Sequence, residues 1–239
     1  PPDAKELGGG AGGRADGEAG LKMSAVFLNV TGCRQRVGWL EEQAAGGVDV
    51  VLLAETWLLP GREPSAGSFQ WFCASRERGM AGRICGGVAV GLRRGSPWTA
   101  GARRVPVTWD CGGAEIVVVE TRGVLLAALY TSEALDDAVS NAIFVALSEA
   151  RTGGQPIMLA GDFNARTGEV SGDSVRDAAG ERLVALAGDL GVRLVKMQQY
   201  GPSYDVERVR RTADGGEVRT RCCSTPDHVA VDGAQVRTW

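Results

Sequence analysis

The segment "IMLAGDFNARTG" sets Asp162 and Asn164 two positions apart, after four apolar residues and Gly161. On an extended strand, residues two apart leave the same face, so an acid and an amide would emerge together where a buried strand surfaces. Removing such groups from water is unfavourable unless they find partners. Two readings stand side by side: an Asx-type turn that merely starts a loop, and a site for phosphate, water or a hard cation. A carboxylate, an amide oxygen and an amide N–H supply the contacts that Mg²⁺ and a phosphodiester need. Glu55 repeats the arrangement between "VVLLA" and "TWL", and Asn29 does so at the end of "MSAVFLN". Tyr130 closes "VLLAALY", a place that serves packing as readily as chemistry. Strand ends along one sheet edge converge on a single rim, so these positions point to a site together more than they do singly. The remaining chemical signal is "STPDHVAV", which holds the only histidine. Strand alternation puts Asp227 and His228 on opposite faces, so both cannot enter one site from a regular strand.

Elements able to position these groups follow from the hydrophobic pattern. "MSAVFLNV" (Met23 to Val30) reads as a strand, and "RQRVGWLEEQAAGG" as a helix with Val37, Leu40 and Ala44 on one side and Gly46-Gly47 as its stop. "VDVVLLAETWL" (Val48 to Leu58) is a near-continuous apolar strand, as expected when both faces are covered. The middle is β-rich: "FQWFCAS", "GGVAVGLRR", "RRVPVTWD", "AEIVVVETR" and "GVLLAALYT" are short strands between Gly, Pro and Asp turns. A helix, "EALDDAVSNAIFVALSEA", precedes the Asp162 strand, and a second, "RDAAGERLVALAGDLG", follows it with Gly191 as its stop. "VRLVKM" and the stretch from Val218 to Val231 are further strands. Hairpin-linked strands mixed with helical crossovers predict mixed sheets with helices outside.

With 239 residues, 44% hydrophobic, the chain can bury a core without staples. A net charge of −3 excludes a globally basic nucleic-acid coat while leaving room for a local basic patch. Six cysteines form no C-x-x-C pair, which fits reduced thiols in an intracellular, reducing compartment. No run of eighteen apolar residues and no signal-type h-region occurs, so no membrane partner is expected. Residues 1–22 are rich in Gly, Ala, Asp and Glu and read as a disordered linker, with one folded domain over 23–239. The absence of an initiating Met before Pro1, and a last residue, Trp239, inside a strand-like pattern, lead to the expectation of a fragment cut at both ends.

The ordered motifs resemble a known family. "FLNVTGCRQRVGWLEEQAAGGVDVVLLAETWL" is similar to the opening of the endonuclease domain of non-LTR (LINE-type) retrotransposons. That domain lies in the apurinic-endonuclease-like branch of the endonuclease/exonuclease/phosphatase family. The Leu-Asn-Val-x-Gly start, Glu-Thr-Trp-Leu, "GGVAV", "LYTSE" and "GDFNARTG" occur in the family's order, from Met23 to the last residue. The resemblance implies a four-layer α/β sandwich, two mixed sheets flanked by helices as in deoxyribonuclease I, here expected to lack its last strand. It implies a Mg²⁺ (or Mn²⁺) cofactor held by Glu55 with Asn29 beside it. Asp162 and Asn164 would align the attacking water and bind the scissile phosphate, Tyr130 would contact that phosphate, and Asp227 would be a carboxylate orienting the catalytic histidine. Ser203 in "GPSY" falls near a family position that contacts DNA backbone.

The family carries its catalytic histidine in a Ser-Asp-His triplet on a final strand, and no such triplet occurs here. Either Asp227-His228 is that terminal pair, or it is the penultimate strand and the histidine lies beyond Trp239. The continuation "DHVAVDG" into a turn, together with alternation, favours the second. His228 then takes a packing or edge role, and the chain as given should cleave poorly. Arg208, Arg210 and Arg211 lie close in sequence to Asp227, among acids that leave the stretch almost neutral, so a solvated hairpin and a DNA-reading loop both remain open. The expected activity is nicking of double-stranded DNA in the nucleus for target-primed reverse transcription, with a reverse transcriptase on the same polyprotein and no sign of an oligomer. The alternatives are an apurinic-site nuclease or phosphatase of the same family, or an inactive DNA-binding module.

Overall fold

The computed structural model describes residues 22–75, 86–109, 114–170, 174–195, 204–211, 217–224 and 227–232. Its elements run β1 (Ala25–Asn29), α1 (Val37–Ala45), β2 (Val50–Ala54), β3 (Phe69–Ala74), β4 (Val88–Arg93), β5 (Arg103–Val105), β6 (Ala114–Thr121) and β7 (Val124–Thr131). Then come α2 (Asp137–Ala150), β8 (Ile157–Asp162), α3 (Ala178–Asp189), β9 (Arg193–Leu194), β10 (Tyr204–Arg211), β11 (Glu217–Ser224) and β12 (Asp227–Val231). Residues 1–21, Ser203 and the residues after Asp232 lie outside the described residues, and with them the linker expected at the N-terminus.

Two mixed sheets face each other. The first has the order β1-β2-β4-β3, with β1 and β2 parallel; the second has the order β5-β6-β7-β8-β12-β9, with β7 and β8 parallel. Alternation sorts the apolar side chains into three bodies. Val50, Leu52, Val88 and Val90 of the first sheet meet Val117, Val119, Leu126, Ala128 and Ala160 of the second in the seam between the sheets. On the far side of the first sheet, Val51 and Leu53 pack with Leu40 of α1. On the far side of the second, Leu125, Leu129 and Leu159 pack with Ile143 and Leu147 of α2 and Leu183 and Leu186 of α3. This is the four-layer sandwich that the motif resemblance implied.

Several boundaries differ from the sequence pattern, each for a local reason. The second strand stops at Ala54, not Leu58, because Glu55 and Trp57 take φ of 54° and 52°, outside the extended region. β5 spans only three residues because Pro106 follows it, and a proline has no N–H for the ladder. α2 starts at Asp137 rather than near Glu133, because the Asp136 carboxylate accepts a hydrogen bond from Val139 N–H at 2.8 Å and caps the helix. Of "VRLVKM", residues 196 and 197 lie outside the described residues, and within the rest the two residues of β9 pair with β12. β10, which the pattern did not show, pairs with β11 as a separate antiparallel ribbon.

The start of α3 anchors the loop leaving β8. Asp177 caps the helix through Gly180 N–H at 2.7 Å and accepts Arg166 N–H at 3.1 Å through the same oxygen. Gly180 comes so close to that loop that a Cβ there would stand 1.9 Å from the Arg166 carbonyl oxygen.

Candidate active site at the sheet ends

Strand order brings the predicted residues to one end of the seam. Asn29 is the last residue of β1 and pairs with Ala54, the last of β2. In the second sheet, Tyr130, Asp162 and Asp227 are neighbours across β7, β8 and β12. All three share the parity of residues that enter the seam: Ala128 precedes Tyr130 by two, Ala160 precedes Asp162, and Val229 follows Asp227. The two sheets touch here through a side-chain hydrogen bond, Asn29 Nδ2 donating to Asp162 Oδ2 at 2.9 Å. The Asn29 Oδ1 accepts Thr31 N–H at 3.2 Å, which fixes the amide's orientation.

Asp162 is 5% exposed, and its other oxygen accepts Asn164 N–H at 3.0 Å. Burial pushes its carboxyl above the ordinary carboxylate range. The hydrogen bonds from Asn164 and Asn29 oppose that rise, and the charge of nearby Glu55 adds to it. The backbone therefore makes the Asx turn that was the plainer of the two readings of "GDFN". Asn164 lies beyond the strand at φ 46°, so alternation does not place it beside Asp162; the turn does. Its Nδ2 donates to the Thr131 carbonyl at 2.6 Å, holding the loop against the end of β7.

Glu55 sits in a segment gripped from two sides. Gly32 and Cys33 N–H donate to the carbonyls of Glu55 and Thr56, at 2.8 and 3.1 Å, while Thr56 and Trp57 N–H donate to Gly87 and Gly86, at 3.1 and 2.9 Å. Its charge adds the smallest of the four influences on the Asp162 carboxyl, which links the end of the first sheet electrostatically to that of the second.

His228 does not join them. It faces away from the seam, is 1% exposed, and its Nε2 lies 2.8 Å from the Ala165 carbonyl, with the Phe163 ring beside it. In the sheet it is in register with Gly161 of β8, while β9 pairs with β12 only at Ala230 and Val231, so burial of the ring gives His228 a packing role. Arg208, Arg210 and Arg211 fall in β10, with backbones paired to Thr220, Val218 and Glu217. Ser203 lies outside the described residues.

Sequence reading missed Glu115. It pairs with Tyr130, shares the parity of Val117 and Val119 in the seam, and is 7% exposed, which extends the polar row to a fourth strand. A single acid in "AEIVVVET" resembles the solvated member of an alternating strand; only the covering first sheet reveals it as buried.

The donor set suits a hard cation. Among the described residues no group of three or more His, Cys, Asp or Glu forms a ready-made cage. Mg²⁺ does not need one: it keeps several waters and binds through one or two carboxylates plus substrate phosphate oxygens. Glu55, with the Asn29 amide at the meeting of the sheets, is a set of that kind, with Asp162 hydrogen-bonded to Asn29.

No family model matches the sequence, and no curated protein matches it. Solved structures do match the fold. The endonuclease domain of TRAS1, a telomere-specific non-LTR retrotransposon, is 15% identical with a TM-score of 0.59, over 89% of this chain and 86% of that one. A 3'-5' exonuclease (NExo) from Neisseria meningitidis is 14% identical with a TM-score of 0.58, over 88% of this chain and 87% of its own. An AP endonuclease from Archaeoglobus fulgidus is 13% identical with a TM-score of 0.58, over 88% of this chain and 86% of its own. Motif order and architecture thus agree, and the fold of this chain is that of the endonuclease/exonuclease/phosphatase family, shared with the endonuclease domain of a non-LTR retrotransposon.

Proposed function

We propose that the chain is a Mg²⁺- or Mn²⁺-dependent DNA endonuclease that nicks double-stranded DNA by phosphodiester hydrolysis, and that it serves target-primed reverse transcription of a non-LTR retrotransposon. The observation that carries this reading is the meeting of Asn29 and Asp162 across the two sheets, with the Glu55 charge beside them. Folding alone gains little from burying an aspartate at the end of an apolar seam; a cation and a phosphate would make the arrangement favourable.

In this reading Glu55 and Asn29 hold the divalent ion, which when bound neutralises charge developing on the phosphate. Asp162 holds the attacking water through its carboxylate lone pairs, and Asn164, whose Nδ2 already donates one N–H to the Thr131 carbonyl, offers its second N–H to the phosphate. Tyr130, on the neighbouring strand, contacts a phosphate oxygen. Asp227, in register with Asp162, adds a carboxylate to orient an acid/base partner. Water adds to phosphorus and the bond to the sugar 3' oxygen breaks, leaving the 3'-hydroxyl that priming requires. The partner is double-stranded DNA in the nucleus, and a reverse transcriptase covalently linked to this domain would use the nick.

Plasmid nicking with Mg²⁺ tests the proposal. The chain as given should nick weakly, and Glu55→Ala should lose about 10²- to 10⁴-fold from that level, the range for removing one catalytic group. Glu55 lies at the half-buried rim, so the melting temperature should move by less than about 2 °C. Unchanged nicking by Glu55→Ala would overturn the assignment. Parallel assays of abasic-site cleavage and phosphate release separate the endonuclease from its apurinic-site and phosphatase relatives.

A further inference from the structure

Two residues beyond Glu55, Trp57 combines features that packing does not account for. It lies in the doubly gripped segment, takes φ of 52° without being glycine, and leaves its side chain 40% exposed. Strained backbone at a non-glycine residue persists only where the surroundings over-determine it, and such positions gather at functional sites. Here the surroundings are the four backbone hydrogen bonds that also set Glu55. The ring itself is seated. A Cβ on Gly32 would stand 2.9 Å from Trp57 Cε3 and 3.4 Å from Cζ3, so only glycine lets the indole rest on that backbone. One side of the ring is therefore fixed, while a large part of it remains open to solvent. The next residue, Leu58, is 7% exposed and anchors the segment from its other end.

We propose that Trp57 is a stacking platform for an unpaired nucleobase next to the phosphate that is cut. This deepens the nuclease reading and rests on it. Every base offers a π-face, and an indole held in place beforehand binds one without first losing rotamer freedom. Because Trp57 and Glu55 share one rigid segment, a phosphate at Glu55 delivers the adjoining nucleotide to the ring. Faces of paired bases are covered by their neighbours in a duplex, so the platform takes a base only where the strand is frayed, flipped or single-stranded.

Fluorescence anisotropy in EDTA, which withholds the divalent ion and so prevents cutting, provides the test. The probes are a strand of about twelve thymidines, within the footprint of such sites, and an equally long strand of abasic tetrahydrofuran residues with the same phosphates. Trp57→Ala should weaken binding of the thymidine strand roughly 5- to 150-fold and leave binding of the abasic strand unchanged. Trp57→Phe should retain most of the affinity. If Trp57→Ala does not fold, Trp57→Leu against Trp57→Phe makes the same comparison with bulk preserved. Equal binding of the thymidine strand by wild type and variant, an equal loss on both strands, or no binding of either strand by wild type each overturns the platform. Plasmid nicking by wild type, run alongside, separates the two proposals. Nicking without a base-dependent effect at Trp57 removes the platform and leaves the nuclease. A base-dependent effect without nicking, by this chain or by one extended past Trp239, removes the nuclease and leaves a base-binding surface.

Discussion

Truncating Asn29 to alanine removes the donor that reaches Asp162 Oδ2 across the seam at 2.9 Å. A hydrogen bond to a charged group contributes about 1.5–3 kcal/mol, and Asp162, at 5% exposure, has little access to replacement water. The expected loss at neutral pH is therefore about 1.5–3 kcal/mol. For a chain of this size, that lowers the melting temperature by roughly 3–12 °C. Urea unfolding of wild type, Asn29→Ala, Asp162→Ala and the double variant isolates the pair: in the Asp162→Ala background the Asn29 change should keep only the smaller effect of losing the exposed Thr31 contact. The sign of the pH dependence also follows. Burial raises the Asp162 pKa, while the Asn29 bond opposes that rise by favouring the carboxylate, so its loss raises the pKa further. The Asn29 coupling is present only where Asp162 is ionised in the fold, above its raised folded pKa, and fades as pH falls through that value, whereas the burial of Asp162 itself is most favourable at low pH and costs more as pH rises through it. Because that folded pKa is raised, fading should begin at higher pH than for an exposed aspartate. A coupling energy below about 0.5 kcal/mol at neutral pH, or one that grows on acidification, would refute the reasoning.

Within α3, Gly180→Ala places a Cβ 1.9 Å from the Arg166 carbonyl oxygen, while Gly188→Ala meets nothing within 4 Å. Thermal melts should show the first losing about 1–3 kcal/mol or more and the second gaining about 0.5–1 kcal/mol; equal stability of the two would contradict the described approach of helix and loop. The Cys73 thiol is pushed up to about 12, first by burial and then by the Glu63 charge. Iodoacetamide at about pH 8 should therefore label Cys73 in the folded protein roughly 10³-fold more slowly than a free thiol, with the difference abolished in urea. Labelling at the free-thiol rate, read by peptide mass spectrometry, would contradict the buried environment.

The polar ends of β1, β2, β7 and β8 were legible because a polar residue terminating an apolar run is a solvation anomaly at any position. The meeting of Asp227 with Asp162 depends on the pairing of β12 with β8, a contact distant in sequence, and only the motif resemblance pointed to it. The backbone at Glu55 and Trp57 was not legible at all: φ near 50° is usually announced by glycine or asparagine, and here it is imposed by hydrogen bonds from two other segments. Alternation gave the right faces for Asp227 and His228, which lie within a strand, but the wrong reason for Asn164, which lies past the end of one. Glu115 escaped because one acid among valines reads as an exposed position until the opposing sheet is in place. β10, "YDVERVRR", carries too many charges at irregular intervals to read as a strand, and its pairing with β11 is what makes it one.

The bond between Asn29 and Asp162 joins positions 133 apart in the chain. Synthesis begins at the N-terminus, so β1 and β2 with Asn29 and Glu55 exist long before the ribosome has made β8 and β12. If the chain is the nuclease proposed above, a nascent chain would carry half of the proposed set for most of its synthesis and still be chemically silent. The order of the strands would then act as a safety catch, because the two halves meet only when the second layer has been made and docked onto the first.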